Sequence, residues 1–169
     1  MISYEFYVQL AIQFARLSGF SPIITIASLR NTDLLKSLGA THVIDRNIPA
    51  SAFASEIANT TTAPILLVFD AVATTDTQQL GYDTLAEGGD IVVVLDSSIK
   101  ETPGSTKKVL GVLGNVQVPT NREIGRALAQ YLPKVLEAGD LIVRISFFCS
   151  HQSHVNGDSL ILLLSAECD

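Results

Sequence analysis

The chain has 169 residues, 47% of them hydrophobic and 17% charged, enough length for one domain with a substantial core. Its net charge of −6 and pI near 4.9 argue against a nucleic-acid surface, which is usually basic, and against docking on anionic lipid. There is no signal-peptide pattern at the N-terminus. The longest aliphatic run, Leu160–Leu164, is far too short for a bilayer span, and Cys149 and Cys168 are too few for a disulfide framework. The expectation is a soluble cytoplasmic protein with neither a nucleic-acid nor a membrane partner.

In chain order, residues 4–18 read as a helix. Tyr7, Leu10, Phe14 and Leu17 follow one helical face, and Gly19 supplies the stop. Val8, Ala11, Ile12 and Ala15 make the other faces nearly as apolar, which predicts a buried helix. Residues 22–27 form a short β-branched run and hence a strand. Asn31 offers an N-cap for a short helix that Gly39 ends. A strand follows at His42 to Asp45, then a short helix over 51–58 with Phe53 and Ile57 one turn apart. Ile65 to Phe69 is a strongly apolar strand ending at Asp70. A helix covers 75–86, and the strand Ile91 to Leu95 follows Gly88 and Gly89. Val109 to Val118 contains a further strand. Asn121 caps a long helix to about Ala138, with Ile124, Leu128, Leu132, Val135 and Leu136 turned inward and a kink expected at Pro133. Leu141 to Ile145 is a candidate last strand.

Strands alternating with helices, with few hairpin signals, indicate βαβ units and a parallel sheet covered on both faces. Such strands read as continuous apolar runs, which accounts for the mean hydropathy of +0.36 without a membrane. One feature stands apart. The chain opens on a helix that is apolar all round, where a doubly wound domain opens on a strand.

Five segments in register resemble one family: Gln9 to Gly19, Ile24 to Ser28, Leu35 to Asp45 (Leu-Lys-Ser-Leu-Gly-Ala-Thr-His-Val-Ile-Asp), Phe69 to Val72, and Gly88 to Val92. The stretch from Gln9 to Ile142 is similar to the cofactor domain of the medium-chain dehydrogenase/reductase superfamily. Its nearest likeness is to the zinc-free, alcohol dehydrogenase-like reductases that include the fungal trans-acting enoyl reductases. The resemblance implies an α/β, Rossmann-like, doubly wound parallel sheet, incomplete because the first strand and its glycine-rich turn are missing. The domain reading is therefore 1–142, a partial NADP-binding Rossmann-like domain, and 143–169, a divergent C-terminal tail. In the family a Gly-x-x-x-x-Gly turn precedes the first helix and brings backbone N–H groups to the pyrophosphate. Here Met1 to Val8 hold that place, with no glycine before Gly19. The family's catalytic domain is also absent from this chain. A truncated gene model or degraded gene is the expectation, testable in the DNA just upstream of Met1.

The family register turns several residues into candidates for NADP binding. Ser28, Leu29, Arg30 and Asn31 follow the second strand of the family pattern. An acidic residue there selects NAD, whereas a hydroxyl with an arginine suits the 2′-phosphate of NADP, because the guanidinium offers a fixed fork of donors. The competing reading is that Arg30 is a solvated loop residue and Asn31 only a cap. Arg46, at the end of the third strand, is placed by the resemblance near the adenine or phosphate, against an exposed turn residue as alternative. In the family Val94, Leu95 and the Leu113–Asn115 region match segments that line the nicotinamide side by backbone contact, against core residues as alternative, and Asp70 borders the cofactor groove through Ala71 and Val72. Asp70 is read as a turn or N-cap residue, and His42 as a hydrogen-bonded structural residue. His151 and His154 with Cys149 fall short of a metal site.

Neither Tyr-x-x-x-Lys, nor a Gly-x-Ser-x-Gly elbow, nor a Walker A motif occurs, and no catalytic acid or base is assigned. Two functions follow. One is a fragment of an NADP-dependent oxidoreductase of enoyl or quinone reductase type, inactive as this chain. The other is a non-catalytic remnant or a dimerising, partner-binding α/β domain. The family's homodimer contact along the sheet edge corresponds to Val109 to Val118, and the Leu160–Leu164 run is expected to cover an edge or add a strand.

Overall fold

A computed structural model describes residues 4–143 and 161–165. The first helix, α1 (Tyr4–Leu17), leads into β1 (Ile23–Ala27), whose five residues Ile-Ile-Thr-Ile-Ala are all buried. Then come α2 (Thr32–Leu38), β2 (His42–Asp45), α3 (Ala50–Thr60), β3 (Leu67–Asp70), α4 (Thr75–Thr84), β4 (Asp90–Val93) and β5 (Lys108–Gly111). The described chain ends with α5 (Arg122–Glu137) and β6 (Ile161–Leu164). By internal contacts it divides into two units, residues 1–112 with 154–169, and residues 113–153.

In the first unit six strands form one sheet in the order β2-β1-β6-β3-β4-β5. The pairs β1–β2, β3–β4 and β4–β5 are parallel. Side chains alternate across the pleat, so each strand feeds two cores. On one face Ile24, Ile26, Ile44, Val68, Ile91 and Val93 meet Phe53 and Ile57 of α3 and Tyr82 of α4. On the other, Ile23, Ala27 and Ala71 meet Val8, Ile12 and Ala15 of α1 with Leu35 and Leu38 of α2. The sheet is thus covered on both faces, as the alternation of elements predicts. Close approach of α4 needs a glycine. A Cβ on Gly81 would lie 2.8 Å from Ile91 Cδ1 and 3.0 Å from Val68 Cγ1.

Other expectations are corrected. The sheet is mixed, not parallel: β6 pairs antiparallel with both β1 and β3. A short aliphatic run carries no strand direction of its own, and the flanks left open by its neighbours decide it. Of the two roles expected for the aliphatic run near the C-terminus it takes the second, adding a strand over Ile161–Leu164, and that strand lies at the centre of the sheet. In α1 the buried stripe is Val8, Ile12 and Ala15, while Tyr7 is 46% exposed. Both stripes fit the helical period, and only packing against β1 and α2 selects one. Leu141–Val143 form no strand, and the remainder of that candidate lies outside the described residues.

The second unit holds a 3-10 turn at Pro119–Asn121 followed by α5, which continues through Pro133. Of the side chains expected to face inward, Val135 is buried, but Ile124, Leu128 and Leu136 are exposed. Asn121 stands at the cap position without capping. Its amide donates instead to the carbonyls of Leu113 (2.7 Å) and Asn115 (3.1 Å), closing the loop before the helix. Asn31 likewise occupies a cap position with no side-chain cap bond.

Candidate functional site

The parallel strands end together on one edge of the sheet, and the residues singled out from the sequence lie just beyond those ends. The last paired residues of β1 and β2 are Ala27 and Asp45. Arg46 N donates to the Ala27 carbonyl at 3.0 Å, so Ser28 and Arg46 leave the sheet side by side. Ser28 is extended, with φ −68° and ψ 130°, before the 3-10 turn Leu29–Asn31. That turn is closed by Asn31 N donating to the Ser28 carbonyl (3.0 Å) and by Thr32 Oγ1 donating to the Leu29 carbonyl (2.7 Å). Ser28, Asn31 and Arg46 are half-buried, while Leu29 and Arg30 are exposed. Beyond β2, Asp45 Oδ1 accepts from Asn47 N and Nδ2, both at 3.0 Å, which fixes the turn that carries Arg46.

Across the sheet, β3 ends at the fully buried Asp70. Its Oδ1 accepts from Val72 N (2.9 Å) and Ala73 N (3.0 Å), and its Oδ2 from Thr77 Oγ1 (2.8 Å). The carboxylate shapes the turn and does not point outward, in line with the turn role read from the sequence. It holds Ala73 at φ 58°, a left-handed conformation that costs an L-residue roughly 1–2 kcal/mol. The cap of α4 is Thr74, in a reciprocal capping box with Thr77. Val72 is half-buried beside this turn, as is Val94 after β4, and Leu95 is 58% exposed.

All eight candidates, Ser28, Leu29, Arg30, Asn31, Arg46, Val72, Val94 and Leu95, therefore share one edge. The structure brings them together in two groups. Ser28–Asn31 and Arg46 lie beyond β1 and β2, while Val72, Val94 and Leu95 lie beyond β3 and β4. Between the groups β6 enters the sheet, with Ile161 opposite Ile26 and Asp70. An open groove of about 610 Å³ between α3 and α4, lined by Ala54, Ile57, Gln79 and Leu80 among others, includes none of the eight.

One structural residue of this edge went unread in the sequence. Gln78, in the first turn of α4, is completely buried. Its Nε2 donates to the Asp96 carbonyl (3.1 Å), and its Oε1 accepts from Ser98 N (2.7 Å) and Ser98 Oγ (2.9 Å). Gln79 Oε1 accepts from Lys100 N (3.0 Å), and the Tyr82 hydroxyl from Thr102 N (3.2 Å). One helix thus holds the backbone of the loop after β4. The available signal was the spacing of Gln78, Gly81 and Tyr82, which puts an amide on the same helical face as residues that must be buried.

The dinucleotide implied by the sequence resemblance can be tested against these positions. A hydroxyl and two guanidiniums at the ends of adjacent parallel strands fit a ribose phosphate, by donor type and by charge. The pyrophosphate side does not fit. Among the described residues α1 follows no strand, and the nearest glycine, Gly19, stands at its far end with φ 79°. Nor do the described residues contain a group of three His, Cys, Asp or Glu able to hold a metal. His42 Nδ1 is 2.9 Å from Thr41 Oγ1, a structural contact. Cys149, His151, His154 and Cys168 lie outside the described residues. No helix among the described residues is long and apolar enough to cross a membrane.

The profile of the family described as zinc-binding dehydrogenase matches residues 9–107. The trans-enoyl reductase eqxC of Fusarium heterosporum is 36% identical over 100 residues, covering 59% of this chain and 27% of the relative. The chain spans about a quarter of the length of the curated relatives it matches first. Among solved structures, a putative zinc-dependent alcohol dehydrogenase from Rhizobium etli CFN 42 superposes with a TM-score of 0.68 at 25% identity, covering 81% of this chain and 41% of that one. The quinone oxidoreductase of Coxiella burnetii gives a TM-score of 0.56 at 25% identity, covering 81% and 39%.

Proposed function

The chain belongs to the zinc-binding dehydrogenase family, within the medium-chain dehydrogenase/reductase superfamily, and from that membership we propose that it is the cofactor-domain part of an NADP-dependent oxidoreductase of enoyl or quinone reductase type. The observation that carries the cofactor preference is the juxtaposition of Ser28 and Arg46, set beside each other by the Arg46 N to Ala27 carbonyl bond, with Arg30 in the 3-10 turn that follows Ser28. No carboxylate stands at the end of β1 to claim a ribose 2′-hydroxyl, and the residues there are donors suited to a 2′-phosphate. Bound NADPH would supply a hydride. Ser28, Arg30 and Arg46 would hold its ribose phosphate, and Val72, Val94 and Leu95 would border the groove by backbone contact.

On this reading the 169 residues do not themselves reduce a substrate. The one deeply buried carboxylate at the site edge, Asp70, is committed to its turn, and the pyrophosphate side has no glycine turn among the described residues. The test is titration of the purified chain with NADPH and with NADH, followed by an NADPH-oxidation assay with an enone and a quinone. Preference for NADPH by about tenfold or more, weakened at least tenfold by Arg46→Ala, is the expected result, with no oxidation. Equal affinity for the two nucleotides would refute the phosphate assignment, and turnover would refute the inactivity.

A second reading is favoured by the edge strand β5. Its Leu110 is 40% exposed and the adjoining Val112 49%, and an unpaired apolar edge is a template for pairing with another chain. The chain would then form a homodimer along this edge, with or without nucleotide.

A further inference from the structure

Among the described residues the two halves of the sheet are joined only through β6. β2–β1 form one ribbon and β3–β4–β5 another, and no strand of the first pairs with a strand of the second. Of the flanks that face the gap, β1 is buried throughout and β3 is buried at Val68 and Asp70. Into it comes a segment from the far end of the sequence, running against all five others. Ile23 to Ile26 and Leu67 to Asp70 are brought into register by pairing with the same four residues, Leu164 back to Ile161.

The fit extends beyond those four residues and onto both faces. Ser21 N donates to the Ser165 carbonyl (3.2 Å), Ser165 N to the Pro22 carbonyl (3.4 Å), and Leu66 N to the Leu164 carbonyl (3.0 Å). Leu163 is fully buried in the core that holds Ile24, Val68 and Ile91. Leu164, 3% exposed, is buried in the opposite core with Val8 and Ile12. Without the strand, the facing N–H and C=O groups of β1 and β3 would lose their partners, each at a cost comparable to a lost hydrogen bond. The two-stranded ribbon alone would be marginal in water.

We infer that the gap between β1 and β3 is a recognition site for an extended aliphatic strand in antiparallel orientation, and that this chain fills it with its own Ile161–Ser165. Recognition is by main-chain pairing on both sides, with aliphatic side chains required alternately above and below the sheet, as in other strand-addition modes. The sheet strand before it in sequence, β5, ends at Gly111, and the groups that pair with β1 and β3 lie within Ile161–Leu164. A separate strand of the same sequence presents the same groups to the gap.

The test uses the full chain carrying Leu163→Pro, which removes a backbone donor and an aliphatic side chain in the middle of the strand, and a labelled peptide of residues 158–168. The peptide is expected to bind the variant at least tenfold more tightly than the parent chain and to raise the variant's unfolding midpoint. A peptide carrying the same proline should do neither. Equal binding to both chains, or a variant as stable as the parent, would overturn the inference. Hydrogen exchange on the unaltered chain decides the matter independently of whether the variant folds. Amides of 162–165 should exchange as slowly as those of 24–27 and 68–70, and exchange of 162–165 at the rate of an unstructured peptide would overturn the assignment.

Discussion

Glu87 lies in the exposed turn before β4, and its carboxylate organises the segment leading into β5. It accepts from Thr106 N (2.7 Å), Thr106 Oγ1 (2.8 Å) and Ser105 Oγ (3.1 Å). The backbone bond from Thr106, then the Thr106 hydroxyl, with smaller help from Ser105 and Lys107, holds its pKa below the ordinary glutamate value. A carboxyl whose pKa is lower folded than unfolded adds stability above the ordinary carboxylate range. That contribution fades as pH falls through that range to the lowered value. Glu87→Gln is therefore expected to unfold at lower temperature than the parent at pH 7, with the difference shrinking as pH falls through and below the ordinary carboxylate range; thermal melts over a pH series measure it. At the same scale, Gln78→Leu would leave Ser98 N and the Asp96 carbonyl without their partner and cost about 1–3 kcal/mol. Faster amide exchange at Ser98 would accompany the loss in denaturant titration. The positions of Ser28, Arg30 and Arg46 beyond strand ends were legible in the sequence through the family register. Gln78 was not, because its partners lie about twenty residues away in a loop with no pattern of its own.

Among the elements, local signals were strong where period and punctuation agree. The sequence pattern sets β2 at its observed ends, His42–Asp45, and α2 ends where Gly39 takes φ 122°. What a period does not say is which of two apolar stripes faces the core. α1 shows this, with Val8 and Ile12 inside and Tyr7 outside. In α5, Ile124 is 60% exposed despite its place on the apolar face. The packing of α4 on β3 and β4 depends on Gly81, where a side chain would meet Val68 and Ile91. Gly81→Leu is expected to lower stability by about 1–3 kcal/mol through overpacking, although leucine is the better helix former. Chemical denaturation would check it, and a gain in stability would mean that α4 can move outward at no cost.

For the whole molecule, the strand order leaves two edges, β2 and β5. The β5 edge carries exposed Leu110. If it pairs two copies, light scattering after size exclusion should give a dimer, and Leu110→Lys a monomer, since a charge on an edge strand opposes further pairing. A monomeric parent chain would remove the edge from consideration. This outcome is separate from the central gap, whose occupant is internal.

The amino-acid sequence by itself determined the alternation of strands and helices, the buried character of the strands, and the family register that puts Ser28, Arg46, Val72 and Leu95 at strand ends. These are local properties, set by hydrophobic period, turn residues and short motifs. Only the tertiary structure decided the place and direction of Ile161–Leu164, the buried stripe of α1 and the role of Gln78. Each depends on a partner distant in sequence. A short aliphatic run pairs equally well at an edge or a centre, parallel or antiparallel, until the open flanks of β1 and β3 present the one position that buries both of its faces.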